Sequence, residues 1–555
     1  MSNISLMFVR IKKSKDYKYL QIVQTYREGK KVKQRVVSTL GRLDQLQEKG
    51  DIETITHSLS KFSDSVLMVL SGKSDIKSDS LIIGPVLIFK RLWEETGLSA
   101  IFRVLLADRK YEFDVELAVF ITVLHRLLVS GSDRACEKWM TSYRIEGSEA
   151  LMLHHFYRAM AFLGDSLEDQ SGKTPFAPRC TKDLIEEKLF TRRRNLFTEL
   201  ELVFFDTTSI YFEGEGGNEI GAYGNSKDYR SDLKQMVVGV VLDNRGFPVF
   251  CEMWPGNTAD VKSLLPVANR LRKRFGIEKV CVVADRGMIS QDTIRQMEAK
   301  GMSYILGVRM RRVSEVKKEV LSRAGRYKEV TPERDFSKAP SPLKIKEVLH
   351  DGKRYIVCVN SKQARKDEMA RGAIIQGLED KLKGGAKSLI GNKGYRKYLK
   401  VAKGSVQIDQ DKVKEEARFD GKWVLTSNTD MTAEQIALKY KELWMVESVF
   451  RQVKSILETR PIYHKCDETI RGHVFCSFLA LVLQKELDRY LELSGLSYEW
   501  FDIRQDLNNL REVTIDDGGK QVLIRTEARG VCSPVFRSLG MALPPTIQPV
   551  SNNRM

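Results

Sequence analysis

The chain has 555 residues, 42% of them apolar and 30% charged, with a mean hydropathy of −0.31. At roughly 150 residues per domain this allows three or four folded units, and it excludes wholesale disorder and a fibrous chain. Basic side chains outnumber acidic ones 91 to 73, a net charge of +18, which suits a polyanionic partner because neutralised phosphates release counterions. The longest apolar run, Val474 to Leu483, is interrupted by Ser477 and is too short to span a bilayer. Arg10, Lys12 and Lys13 stand in the first strand-like run, with no apolar leader segment around them. A cytosolic protein with no membrane partner is expected. The eight cysteines include no C-x-x-C pair, and the seven histidines show no metal-ligand spacing. Reduced thiols fit this better than a disulfide framework or a zinc site.

In chain order, residues 1–45 read as a small basic β-meander. Runs near Met7–Lys12, Tyr19–Arg27 and Lys31–Leu40 are strand-like, and Glu28-Gly29-Lys30 supplies a turn. With 11 basic side chains against 3 acidic ones, the segment is either a DNA-gripping surface or a solvated sheet face. Residues 46–200 are mostly helical, with apolar positions three and four apart in Leu81–Glu95, Val115–Leu128 and Asp183–Phe190. This region suits DNA binding or dimerisation but has no sharp helix-turn-helix signature. Residues 201–308 turn to strands: Leu202–Asp206, Met236–Leu242 and Phe247–Glu252. A helix Asp260–Phe275, a strand Lys279–Ala284, a helix Gln291–Lys300 and a strand Ser303–Val308 follow. That order predicts a mixed sheet, three antiparallel strands and then parallel additions through helical crossovers. Residues 309–420 read as a basic, β-rich insertion, with strands around Ile345–Glu347 and Tyr355–Val359 and a helix Ser361–Lys383. The sheet resumes at Trp423–Ser427 in a segment spanning 421–490, which continues as a helix Thr432–Glu458 and another from Thr469 to Leu487. Residues 491–555 form a C-terminal region.

Two carboxylates stand out. Asp206 and Asp285 each close an apolar strand, and open α/β sheets place ligand sites at the carboxyl ends of their strands. A lone aspartate there is ordinarily a turn or cap residue. On neighbouring strands the pair would converge, and burial would raise the pKa values unless a cation lay between them. Hard oxygen ligands of this kind suit Mg²⁺ or Mn²⁺. On the 432–458 helix, Tyr440, Glu447 and Lys454 recur every seven residues and so form one narrow stripe, beside an apolar face of Val446, Phe450, Val453 and Leu457. In this reading Glu447 completes the metal site while Tyr440 and Lys454 touch a phosphate backbone. The plain alternative is a solvated polar stripe.

These residues resemble the DDE transposases of bacterial insertion sequences: Asp206 after its apolar run, Asp285 in Val-Val-Ala-Asp-Arg-Gly, and Glu447. The last helix is similar to the Y-x2-R-x3-E-x6-K signature of the IS-four type. It matches at Tyr440, Glu447 and Lys454 and departs at Leu443, where the signature carries Arg; Arg451 is the nearby substitute. Pro255-Gly256-Asn257-x-x-Asp260, the run Gly391–Tyr395 and Arg460-Pro461-Ile462-Tyr463-His464 also look similar to the family. The resemblance covers nearly the whole chain. It implies an RNase H-like α/β core interrupted by a β-rich insertion, with two Mg²⁺ (or Mn²⁺) ions held by Asp206, Asp285 and Glu447. It implies DNA contacts by Tyr440, Lys454, Arg451 and Arg286, although Arg286 has a local carboxylate pairing as its alternative. The implied partners are double-stranded DNA with terminal inverted repeats and target DNA, bound by a homodimer in a bacterial cytoplasm. Two other readings stay open: an RNase H-fold nuclease that never joins strands, and a domesticated DNA-binding protein without catalysis.

Overall fold

A computed structural model describes residues 6–28, 31–60, 77–171, 173–174, 177–194, 202–277, 280–331, 342–383, 397–402, 405–455, 462–517 and 520–549. The chain forms two compact units. One comprises residues 1–82, 505–533 and 542–555, the other residues 83–504 and 534–541.

The first unit opens with the expected meander. β1 (Leu6–Ser14), β2 (Tyr17–Glu28) and β3 (Lys31–Arg42) pair antiparallel, and β3 is exposed over most of its length. β4 (Lys77–Ile82) follows. The helix expected from Leu81 therefore starts later, at Gly84, where Pro85 takes the first turn; proline lacks only an N–H that this turn would leave unpaired.

The second unit carries the large sheet. Helices between Gly84 and Arg194 lead to β5 (Leu202–Tyr211), β6 (Gln235–Leu242), β7 (Pro248–Pro255), β8 (Cys281–Ala284) and β9 (Ser303–Val308). β10 (Lys328–Val330), β11 (Leu343–His350) and β12 (Lys353–Val359) come next, then a hairpin of β13 (Leu399–Ala402) and β14 (Ser405–Ile408), and β15 (Lys422–Ser427). The nine-stranded order is β10-β11-β12-β15-β9-β8-β5-β6-β7. β5, β6 and β7 are antiparallel neighbours, and β8 and β9 add in parallel to β5, as the strand and helix order predicts. β15 then joins β9 antiparallel. The insertion is not a separate body: β10, β11 and β12 extend the same sheet beyond β15. Only its later part, the Ser361–Lys383 helix with the β13–β14 hairpin, builds a small core of its own around Leu378 and Tyr398.

β5, β6 and β7 are almost wholly buried on both faces, as strands covered by helices are, and apart from Asp206–Ser209 in β5 they are mostly apolar. The Asp467–Leu493 helix runs through the middle of this unit, buried almost continuously from Ile470 to Gln484. It packs on the Leu153–Gly164 and Val115–Leu128 helices. Gly164 and Gly472 allow that closeness, since a Cβ on either would collide with backbone of the facing helix. Among the described residues no single helix is long and apolar enough to cross a membrane.

A buried charge network, illegible in the helical pattern, ties the Thr181–Arg194 helix to the sheet. Lys182 Nζ donates to Cys251 O (2.8 Å) and pairs with Asp183 (2.6 Å), Glu186 Oε1 accepts from Cys251 N (2.9 Å), and Arg270 pairs with Glu252. Each charge has its partner, the condition under which burial is tolerated.

The single helix expected over Thr432–Glu458 is corrected. A first helix ends at Lys441 and a second begins at Trp444. The joint is tight: Leu443 N bonds Tyr440 O, Met445 N bonds Glu442 O and Val446 N bonds Leu443 O, each three residues back. Leu443, Met445 and Val446 are all buried there, so the chain turns to seat them in the core. Tyr440 and Glu447 consequently stand on different helices, and the seven-residue stripe does not exist. After β15 and these helices the chain returns to the first unit, where β16 (Arg511–Asp517), β17 (Lys520–Arg525) and β18 (Ile547–Pro549) complete a four-stranded sheet with β4.

Candidate active site

The parallel register of β5 on β8 pairs Phe205 with Ala284; one residue further, Asp206 lies beside Asp285. The two acids expected on neighbouring strands are therefore brought together. Their settings differ. Asp206 is half-buried inside β5, which continues to Tyr211 because it still pairs with β6. Asp285 is exposed, in extended backbone just past β8, at the start of a short turn Arg286–Met288.

A third carboxylate joins them. Asp260, the last residue of the Pro255-Gly256-Asn257-x-x-Asp260 run, accepts from Thr207 Oγ1 at 2.8 Å and pairs with Lys227 Nζ at 3.4 Å. Lys227 also donates to Thr207 O (2.6 Å) and Thr207 Oγ1 (2.9 Å). Burial pushes the Asp206 carboxyl up, and Asp285 and Asp260 push the same way against Lys227 and the Thr207 N–H. The result is a pKa of about 6. A half-buried carboxyl crowded by like charges is relieved by a divalent cation, and hard carboxylate oxygens are the donors that Mg²⁺ or Mn²⁺ takes. The donor set fits such an ion.

Tyr440, expected on the DNA, is placed on the second acid: its hydroxyl donates to Asp285 Oδ1 at 2.9 Å. Burial and the nearby Asp285 hold its own proton well above the ordinary tyrosine range. Gly307 on β9 makes room for it, because a Cβ there would collide with Tyr440 Oη. Arg309 supports the other side of Asp285. Its Nε donates to Arg286 O (3.0 Å) and its Nη2 to Gly287 O (2.8 Å), pinning the turn that follows the acid. Asp285, Arg286, Gly287 and Arg309 to Arg312 line a cleft of about 380 Å³. Four arginines thus flank one carboxylate, a chemistry suited to phosphate beside a cation.

Glu447 is exposed on the Trp444–Ser455 helix, which packs across β5 and β6. Arg451 is exposed one turn further along. Lys454 falls on the same helix, but its side chain lies outside the described residues, as do Gly391–Tyr395, Arg460 and Pro461. Leu443, at the signature's Arg position, is buried and belongs to the core.

As a set, Asp206, Asp285 and Glu447 do not bring their oxygens within 4.8 Å of one another. The described groups that do are Asp133 with His464 and His473, and Glu315 with His350 and Asp351. In the first, the buried Arg126 guanidinium lies 3.3 Å from Asp133 Oδ1 and 2.9 Å from His473 Nδ1, and His464 Nε2 lies 3.1 Å from Asp133 Oδ2. The guanidinium already occupies the place a cation would take, so this is an ion-pair network. It anchors the segment after the Glu447 helix, whose Ile462 bridges to Phe212 just beyond β5.

Three contributors escaped the sequence reading: Lys227, Arg309 and Gly307. Asp260 had a signal, the Pro-Gly-Asn run before it, but no role.

Residues 198–483 match the family described as "Transposase DDE domain". Residues 9–71 match "IS1634 family transposase, N-terminal domain". No curated protein matches the chain.

Proposed function

Since the chain belongs to the DDE transposase family, whose members cleave and transfer DNA strands, we propose that Asp206, Asp285 and Glu447 form its phosphoryl-transfer site, cutting the ends of an insertion sequence and joining them to target DNA. The observation that carries this is the β5–β8 register, which runs the half-buried Asp206 alongside the exposed Asp285. The sheet order around that pair supports an RNase H-like core. When bound, two Mg²⁺ or Mn²⁺ ions supply nucleophile activation and leaving-oxygen stabilisation. The chain's own residues hold that chemistry in place. Asp206 and Asp285 present carboxylates from adjacent strands, Tyr440 orients Asp285, and Glu447 approaches from the helix across β5. Water attacks the phosphodiester at the element end and breaks its P–O3′ bond, freeing a 3′-OH; that hydroxyl then attacks a target phosphodiester in the same site, forming a new P–O bond as the target strand's own 3′-oxygen leaves.

Arg286, Arg312, Arg451 and Lys454 hold the phosphate backbone near the acids, and the basic meander of residues 1–45 makes DNA contacts of its own. The ligand is double-stranded DNA with terminal inverted repeats, held by a homodimer. Tyr440, Glu447 and Lys454 keep the IS-four signature positions, with Leu443 as its one departure. The test is cleavage of a duplex carrying the DNA that flanks the gene, with Mg²⁺ present, by wild type and by Asp206→Asn, Asp285→Asn and Glu447→Gln. Each substitution removes charge with little change in volume. All three should keep their fold by circular dichroism and lose cleavage; wild-type rates in Asp285→Asn would overturn the assignment.

A further inference from the structure

Lys227 lies in the chain segment between β5 and β6, 21 residues from Asp206 in sequence, yet its ammonium ends on the acid strand. Its surroundings are built to keep it there. The Lys227 N–H donates to Ser209 Oγ on β5 at 2.8 Å. Ser226 Oγ accepts from Asp228 N (3.2 Å) and Arg230 N (3.1 Å), and Tyr229 takes a φ of 59°, a left-handed conformation uncommon for a side chain of that size. The ammonium donates hydrogen bonds to Thr207 O and Thr207 Oγ1 and pairs with Asp260 Oδ2 at 3.4 Å. The side chain is 37% exposed, yet its ammonium has three oxygens of the acid strand and Asp260 around it.

The same contacts organise the acids. Thr207 Oγ1 accepts a hydrogen bond from Lys227 and donates one to Asp260 Oδ1 (2.8 Å). The Thr207 N–H meanwhile donates to Asp206 Oδ1 at 2.7 Å. Asp260 opens the short turn Asp260–Lys262, which packs against the Arg286–Met288 turn that follows Asp285. One lysine therefore joins the first acid's strand, Asp260 and the element beside the second acid.

We propose that Lys227 is a positioning residue of the phosphoryl-transfer site, acting through Asp260. Its ammonium holds the Asp260 carboxylate on Thr207, away from Asp206, and supplies one positive charge among three neighbouring carboxylates. This rests on the assignment of Asp206 and Asp285 above. Without the ammonium, Asp260 is released with its charge uncompensated next to the first acid. The site then gains attraction for cations and loses the arrangement that turns them to use. Arginine cannot replace lysine here, because a planar fork does not match three acceptors around a point charge.

The test uses the full chain with Lys227→Met, Lys227→Arg and the double variant Lys227→Met with Asp260→Asn, beside Asp206→Asn. Four quantities are measured: Mn²⁺ affinity by calorimetry without DNA, kcat and KM for cleavage of the end duplex, and the thermal midpoint. Lys227→Met should bind Mn²⁺ at least threefold more tightly while kcat falls at least tenfold at unchanged KM, and Lys227→Arg should not restore kcat. Removing the Asp260 charge as well should recover kcat at least threefold over Lys227→Met alone. Wild-type kcat in Lys227→Met would overturn the proposal. So would Mn²⁺ affinity and thermal midpoint falling together without rescue by Asp260→Asn, the pattern of a simple loop staple. If Asp206→Asn also cleaves normally, the site assignment itself fails; if only Lys227→Met does, the assignment stands and this inference falls.

Discussion

Gly307 offers a way to move the second acid without touching it. The residue lies on β9, and a Cβ built there collides with Tyr440 Oη and stands 3.1 Å from Tyr440 Cζ and from Arg286 N, where ordinary contacts begin near 3.4 Å. β9 is held by β8 on one side and β15 on the other, so the strand cannot yield and the tyrosine must. Gly307→Ala should therefore break the 2.9 Å hydrogen bond from Tyr440 to Asp285. A hydrogen bond to a charged group contributes about 1.5–3 kcal/mol, which at about 1.36 kcal/mol per tenfold in rate gives a loss of about 10- to 150-fold. The assay is Mg²⁺-dependent cleavage of an end duplex under single-turnover conditions. Tyr440→Phe should lose a similar factor by removing the same hydroxyl. Because both changes act on one bond, the double variant should lose no more than either alone, the non-additivity expected of coupled neighbours. Wild-type cleavage by Gly307→Ala, or losses that multiply in the double variant, would refute the idea that Tyr440 orients Asp285.

Other expectations follow from the same contacts. Burial pushes Asp133 up, but the His464 hydrogen bond and Arg126 together hold its carboxyl well below the ordinary 3.8. A depressed folded-state pKa means this stability is present above 3.8 and is lost as pH falls below it. Asp133→Asn should destabilise by about 3–5 kcal/mol in urea unfolding at pH 7, the range for breaking a buried pair, and the gap to wild type should shrink below pH 4; a gap independent of pH would contradict the assignment. Arg312 is exposed on the cleft beside Asp285, so Arg312→Ala should lower the log–log salt slope of end binding by about 1. An unchanged slope would remove it from the phosphate path. Deleting residues 1–45 should weaken end binding and its salt dependence while cleavage of a saturating short end duplex persists.

Local pattern carried much of this fold. β9 spans Ser303–Val308 and the long insertion helix spans Ser361–Lys383, both at the bounds the residue pattern predicts, because one is a short apolar run and the other an unbroken helical period. Asp206 and Asp285 were visible for the same reason: a carboxylate after an apolar run breaks the pattern at one point, although β5 itself continues past Asp206 to Tyr211. What depends on distant partners was not visible. Residues 432–455 contain no glycine or proline, so nothing local signals the joint near Leu443; burial of Leu443, Met445 and Val446 makes it. The helical pattern over Asp183–Phe190 does not mark Lys182, Asp183 and Glu186 as buried, and their burial is explained by Arg270, Arg274 and the β7 backbone. Lys227 meets Asp260 across 33 residues of sequence, and no spacing rule connects them. Two of the insertion's strands, β11 and β12, were legible singly, but their place at the edge of the main sheet depends on pairing with β15.

The most direct measurement of the central claim is strand joining. A duplex ending in a free 3′-OH, cut to the sequence that flanks the gene, is incubated with supercoiled plasmid, Mg²⁺ and the full chain. Wild type should join the end to the plasmid, and Asp206→Asn, Asp285→Asn and Glu447→Gln should each bind the duplex but yield no joined product. Cleavage without any joining by wild type would contradict the claim in favour of a nuclease, and joining that survives loss of Asp206 or Asp285 would show that the chemistry lies elsewhere.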